Sequence, residues 1–335
     1  MNQNSYERRP GNGPQWPMTP QQQLRYIAGA IGMAFISYMV LSMAVPMAAD
    51  VLSLLIFGAD RWTVSNILPP AVNELVNTLA YVAALLIPFW FLASAVGLKQ
   101  GTLFAPSKKS AGYQLACIGL CIGAASVGNI FAEVFSQITS IFGYVPYYQP
   151  VGFGDGVVSN IIIVLTSTVL AGLLEEFAFR GALLRMLRPY GDGFALVVSA
   201  LLFGICHPSA AQFFPAVITG LALGYVVIST GSILTSVIAH MAYNTIALLG
   251  SYAVMQLPTD QLASLATVLV TAAMLAAGLW GTIYLCKQED CFKLQESASP
   301  LTLKQKIGAL VTSLPLMLIS IVFLGIALTS FVPVY

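Results

Sequence analysis

A chain of 335 residues in which 58% are hydrophobic and only 8% charged is not a soluble globular domain, where about a quarter of residues carry charge. Its formal net charge of +1 gives no reason to expect a nucleic-acid partner. The five cysteines (Cys117, Cys121, Cys206, Cys286, Cys291) include no CxxC pair, and the spacing of Cys117 and Cys121 inside an apolar run reads as helix packing rather than redox or metal chemistry.

The first 25 residues, MNQNSYERRPGNGPQWPMTPQQQLR, are polar and rich in Pro, Gln, Asn and Gly. They read as a flexible cytoplasmic tail and not as a signal peptide. Residues 26–335 read as one membrane domain. Nine apolar segments follow, at roughly 26–48, 72–97, 113–138, 158–186, 194–208, 212–229, 232–250, 262–286 and 308–332. The fold class expected is all-α, a polytopic transmembrane helical bundle. The fifth and sixth segments are short and punctuated by Pro208 and Pro215, so they form either two spans or one re-entrant unit, and the count is eight or nine. No internal repeat is evident.

Charge bias sets an orientation. With nine alternating spans and the N-terminus inside, the inner segments hold Arg8, Arg9, Arg25, Lys99, Lys108, Lys109, Arg185, Arg188, Lys287, Lys293, Lys304 and Lys306. That is 12 of the 14 basic residues; Arg61 lies outside and Arg180 lies within the fourth segment. The expectation is therefore a multi-pass protein of the plasma membrane with a cytoplasmic N-terminus. The outer loop FGYVPYYQPVGFGDG, 142–156, has tyrosines that read as interfacial anchors and not as a lid. Glu133, near the outer end of the third segment, reads as a headgroup-level acid, with Asn129 one turn earlier on the same face; lining a substrate cavity is the less favoured alternative there.

The fourth segment carries the unusual feature. In LLEEFAFRGALL two carboxylates and a guanidinium sit in hydrocarbon, where a charge costs about 2.5–3.5 kcal/mol on insertion scales. Glu176 and Arg180 are four apart, in the favourable order for an intrahelical pair. Glu175 points about 100° away and must find a partner on another helix or take a proton. The only two histidines are also in apolar segments: His207, four residues after Phe203, and His240, four before Asn244. Counted from the inner ends of their helices, Glu175 lies at about 17 Å, His207 at about 20 Å, His240 at about 14 Å and Asn244 at about 20 Å. The four fit one layer part-way across a hydrocarbon core of about 30 Å.

Two chemistries suit that set. A carboxylate with an imidazole can deprotonate water, while a second imidazole and a carboxamide stabilise an oxyanion. Alternatively Glu175, His207 and His240 supply the ligands of a catalytic zinc with an open position. Cys206 points about 100° away from His207, which argues against a Cys–His dyad.

The ordered set Glu175-Glu176-x-x-x-Arg180, Phe203-x-x-x-His207 and His240-x-x-x-Asn244 resembles the three motifs of the CPBP family, the CAAX proteases and bacteriocin-processing enzymes also called the Abi family. The motifs lie in a core at about 158–250; the rest of the chain carries none. The resemblance implies an intramembrane endopeptidase, often classed with metalloproteases, acting on a membrane-associated peptide or protein, with a lipidated substrate one option. It implies that Glu175 and His207 activate water, that His240 and Asn244 hold the oxyanion, and that Glu176, Arg180 and Phe203 support the site. A divalent zinc ion is one option for a cofactor. Pro208, directly after His207, is a departure that would end the helix and re-aim the imidazole. The rivals are a non-catalytic scaffold or immunity protein of the same family, and a proton-coupled transporter, for which buried Glu, Arg and His also suit.

Overall fold

The computed structural model describes residues 18–61, 63, 69–95, 104–148, 152–153, 156–289 and 291–334. Ten helices are present among them: α1 Pro20–Phe57, α2 Ala71–Ala95, α3 Ala111–Ser140, α4 Val157–Tyr190, α5 Asp192–Ile205, α6 Ala210–Thr230, α7 Ile233–Met255, α8 Asp260–Cys286, α9 Leu303–Val311 and α10 Leu314–Thr329. Two short strands, β1 Tyr144–Pro146 and β2 Phe331–Pro333, pair antiparallel. The protein is an integral, multi-pass helical bundle.

Each of the nine apolar segments is mainly helical among the described residues, although the ninth is broken at Thr312–Ser313 and runs into β2. Seven helices are long and apolar enough to cross a bilayer, and an eighth span arises if the α9–α10 pair, bent by 75°, counts as one. The expected fifth span is α5, which has only 14 residues and so reaches about 21 Å. It is short because Gly191, at φ 107°, fixes its start and Pro208 follows its end. The expected tail over 1–25 also ends early. Thr19 and Gln22 form a capping box and Pro20 occupies the first turn, so helix begins at Pro20; residues 1–17 lie outside the described residues.

Hydrogen bonds tie the loops into two opposite layers. In one, Ser107 donates to the Thr230 carbonyl, Ser232 to the Ala105 carbonyl, and Lys306 to the Tyr190 carbonyl, while Asp192 accepts from the Gln295 amide. This layer gathers Lys108, Lys109, Arg188, Lys287, Lys293, Lys304 and Lys306. The other layer holds the β1–β2 pair and the turn between α5 and α6. Ser209 there donates to the Tyr147 carbonyl, and the Tyr147 amide to the Ser330 carbonyl. Even the short α5 therefore runs from one layer to the other, antiparallel to α6.

Lipid supplies no hydrophobic drive between helices, so close packing by small residues dominates. α3 and α8 cross antiparallel on Gly123 and Gly278; a Cβ at Gly278 would lie 2.6 Å from the Gly123 Cα. Cys117 and Cys121 are fully buried in α3, as packing residues would be. Replacing Gly278 by Val should force α3 and α8 apart and destabilise the bundle by about 3 kcal/mol or more. The check is a thermal melt of the purified protein in detergent, with Gly325→Val, in open space at α10, as the neutral comparison.

Candidate active site

The site is built around α4, whose backbone is not uniform. Residues 165–170 and 177–184 form π-helical turns, with ordinary α-helix at Ala171–Glu176 between them. π turns shift the phase of the side chains that follow and recur at functional positions. Gly172, in the α-helical stretch, lets α7 approach closely: a Cβ there would lie 3.2 Å from the Met241 amide nitrogen. That approach sets the two carboxylates of α4 beside His240 of α7.

Glu176 and Arg180 are both fully buried and joined at 2.8 Å between Oε1 and Nη1. The same Oε1 lies 3.0 Å from His240 Nδ1. A carboxylate can only accept, so Nδ1 carries the hydrogen and Nε2 is the nitrogen turned toward Glu175, whose Oε2 is 3.8 Å away. Arg180 extends further: Nη2 donates to the Gly220 carbonyl of α6 at 3.1 Å, and the guanidinium lies 4.6 Å from the Phe203 ring centre of α5. One guanidinium thus joins α4, α5 and α6, and one carboxylate adds α7.

Glu175 finds its partner on α2, where the Tyr81 hydroxyl donates to Oε1 at 2.7 Å. Its Oε2 remains turned toward His240 and the cavity. His207 lies in the turn after α5, and its Nδ1 sits 2.8 Å from the Phe203 carbonyl. A carbonyl cannot donate, so Nδ1 again bears the hydrogen and Nε2 is free to accept. Asn244 Nδ2 donates one hydrogen to the Ser167 carbonyl at 3.0 Å and keeps a second. That carbonyl is available because the π turn at 165–170 breaks the regular ladder around it.

Glu175, His207, His240 and Asn244 all line one cavity of about 680 Å³. Phe203 lines it too and stacks edge-on against both imidazoles, with ring centres 5.0 Å from His207 and 6.0 Å from His240. Glu176 and Arg180 stand behind the wall. The remaining lining is mixed: Phe35, Phe179 and Leu248 with Tyr243, Asn129 and Gln212.

A metal centre fits this arrangement poorly. Among the described residues no three His, Cys, Asp or Glu side chains are grouped to hold an ion. Glu175, His207 and His240 are not grouped as one ligand set in this structure, and no step below passes through a metal. Tyr81, Asn129 and Tyr148 are among the lining residues that the site set read from the sequence does not include. Tyr81 has no signal beyond being a tyrosine within an apolar helix. Asn129, an amide within a span, gives a weak one. Tyr148 belongs to the loop read as interfacial anchors, yet it lines the cavity.

Breaking the buried pair from one side should be costly. Arg180→Leu leaves Glu176 as an uncompensated buried charge and should cost about 3–5 kcal/mol, whereas adding Glu176→Gln to it should recover part of the loss. Denaturant unfolding of the two single variants and the double variant measures this coupling.

Residues 157–246 match the family model described as Rce1-like, type II CAAX prenyl endopeptidase. No curated protein and no solved structure matches the chain. The matched stretch contains all three motifs and every side chain of the buried cluster, while Tyr81, Asn129 and Tyr148 fall outside it. The segment from Val157 to Ile246, which carries the charged cluster, both imidazoles and the amide, is thus similar to the type II CAAX prenyl endopeptidases of the Rce1-like family.

Proposed function

We propose that the protein is an intramembrane endopeptidase that hydrolyses a peptide bond with water activated by Glu175 and His207. The observation that supports it most is the convergence of a carboxylate, two imidazoles and an amide, each with one polar atom committed to the protein and another left toward one cavity. Tyr81 holds Oε1 of Glu175, so Oε2 is the basic oxygen. His207 Nε2 offers a second acceptor for the same water. The water oxygen attacks the carbonyl carbon as its proton passes to Glu175. The oxyanion is met by the free Nδ2 hydrogen of Asn244 and by His240 Nε2 when that nitrogen bears a proton. Glu175 then returns its proton to the leaving amine as the C–N bond breaks. Glu176, fixed by Arg180, keeps His240 turned the right way.

The substrate class we propose is a membrane-associated peptide or protein, and the mixed apolar and neutral polar lining suits a peptide beside a lipid chain. The membrane we propose is the plasma membrane, with the basic layer and the N-terminus cytoplasmic.

Glu175→Gln should lower cleavage of a farnesylated peptide ending in Cys-aliphatic-aliphatic-X, or of an unlipidated membrane peptide, by at least about 100-fold. The variant should still insert and fold. The measurement in cells compares peptide termini among a strain with the protein, one lacking it and one carrying Glu175→Gln. Termini lost in both altered strains support proteolysis; full activity in the variant ends this reading. For orientation, Cys291 should react with an impermeant maleimide only after the membrane is opened, and labelling from outside in intact cells would reverse the assignment.

A further inference from the structure

His207 is the least anchored member of the site. Glu175, His240 and Asn244 stand on long helices, but α5 ends at Ile205 and His207 follows in a turn. Its own anchors are local: Nδ1 to the Phe203 carbonyl and its amide to the Gly204 carbonyl at 3.2 Å. Pro208, next in the chain, has no N–H to give. A turn so built has few internal restraints.

What restrains it comes from distant parts of the chain. Ser209 donates to the Tyr147 carbonyl at 2.7 Å, and its Oγ also accepts from the Ala211 amide to cap α6. The Tyr147 amide donates to the Ser330 carbonyl at 2.8 Å. Ser330 Oγ accepts from the Ala210 amide at 3.1 Å and donates to the Ala327 carbonyl. These bonds close a ring through the α5–α6 turn, the loop after β1 and the end of α10. The β1–β2 pair extends it, with the Val334 amide bonded to the Gly143 carbonyl. Beneath lies an aromatic seat: Phe331 of β2 packs on Phe135 of α3 at 6.2 Å between ring centres, and Phe135 packs on Phe214 of α6 at 5.1 Å. Tyr147 and Ser330 both lie outside the family match at 157–246.

We propose that β1 with its following loop and the C-terminal strand form a clamp that positions His207, with Ser209 and Ser330 as positioning residues. This rests on the proteolytic reading of the cavity. The clamp works through geometry: the ring fixes residues 209 and 210, and thereby the turn from which the imidazole projects. Neither serine touches the reacting atoms. The segment 330–334, although it carries no motif, is thus part of what makes the site.

Cys206 provides a reporter that does not depend on activity. It precedes His207 and lines the cavity. In a full-length Cys286→Ser, Cys291→Ser background, the rate at which a water-soluble maleimide labels Cys206 reads the order of the turn. Ser330→Ala should raise that rate several-fold, and truncation after Thr329 about tenfold, the range expected for losing one or more hydrogen bonds. Ser209→Ala should behave like Ser330→Ala, and Ser209→Thr, which keeps the hydroxyl, should stay at the parent rate. With the farnesylated peptide, kcat should fall by similar factors while KM holds. Unchanged Cys206 labelling in Ser330→Ala and in the truncation overturns the clamp. So does a parallel rise at the buried Cys117 and Cys121, which would mean that the C-terminus holds the whole bundle. Raised labelling confined to Cys206 in a protein that cleaves no peptide supports the clamp and counts against the proteolytic reading instead.

Discussion

Oε1 of Glu176 accepts from two sides at once, from the Arg180 guanidinium and from His240 Nδ1. Much of the site depends on this. A lone carboxylate at this depth would be strongly disfavoured, and so would a lone guanidinium. Together they form a unit that hydrocarbon tolerates and that has direction. The guanidinium reaches on to Gly220 and over Phe203, so four helices are located by one charge pair. His240, held at Nδ1, has a single orientation left for Nε2. The pair thus converts an electrostatic necessity into a geometric constraint on a neighbouring imidazole.

Glu175 differs from its neighbour in what surrounds it. Glu176 is sealed, and its Oε1 accepts from Arg180 and from His240. Glu175 has one neutral donor, the Tyr81 hydroxyl, and borders the cavity. Adjacent residues on one helix therefore have separate duties because successive side chains point about 100° apart. One faces the bundle and fixes structure; the other faces the cavity and keeps an oxygen free. The π turns on either side of them add to this. They loosen the regular ladder around Ser167, whose carbonyl then orients Asn244.

The sequence makes some of this legible and hides the rest for definite reasons. Glu175, Glu176 and Arg180 stand out because charges are rare in apolar helices, and with only two histidines the choice of imidazoles was not open. The helical segments follow from hydropathy alone. The shortness of α5 is less visible, since apolar residues run on past Ile205 to Cys206 and only Pro208 marks the turn. Tyr81 cannot be found by pattern, because its importance arises from α2 lying parallel to α4. The same holds for Asn129 and Tyr148, whose helix and loop face the cavity only once the bundle is assembled. The π turns have no sequence signature here at all.

The division between matched and unmatched segments has a mechanical sense. Residues 157–246 supply the charged cluster, both imidazoles and the amide, but they leave His207 on a turn with a proline and few bonds of its own. The segments outside supply the Tyr81 hydroxyl and the bonds of Tyr147 and Ser330. Groups that must carry charge or exchange protons are restricted to a few side chains at fixed spacings. Groups that only need to accept or donate one hydrogen bond can be provided by many sequences, often by the backbone itself, as at Tyr147. A motif therefore marks where the chemistry is constrained, while the support around it is free to differ in residue type and still hold the same atoms in place.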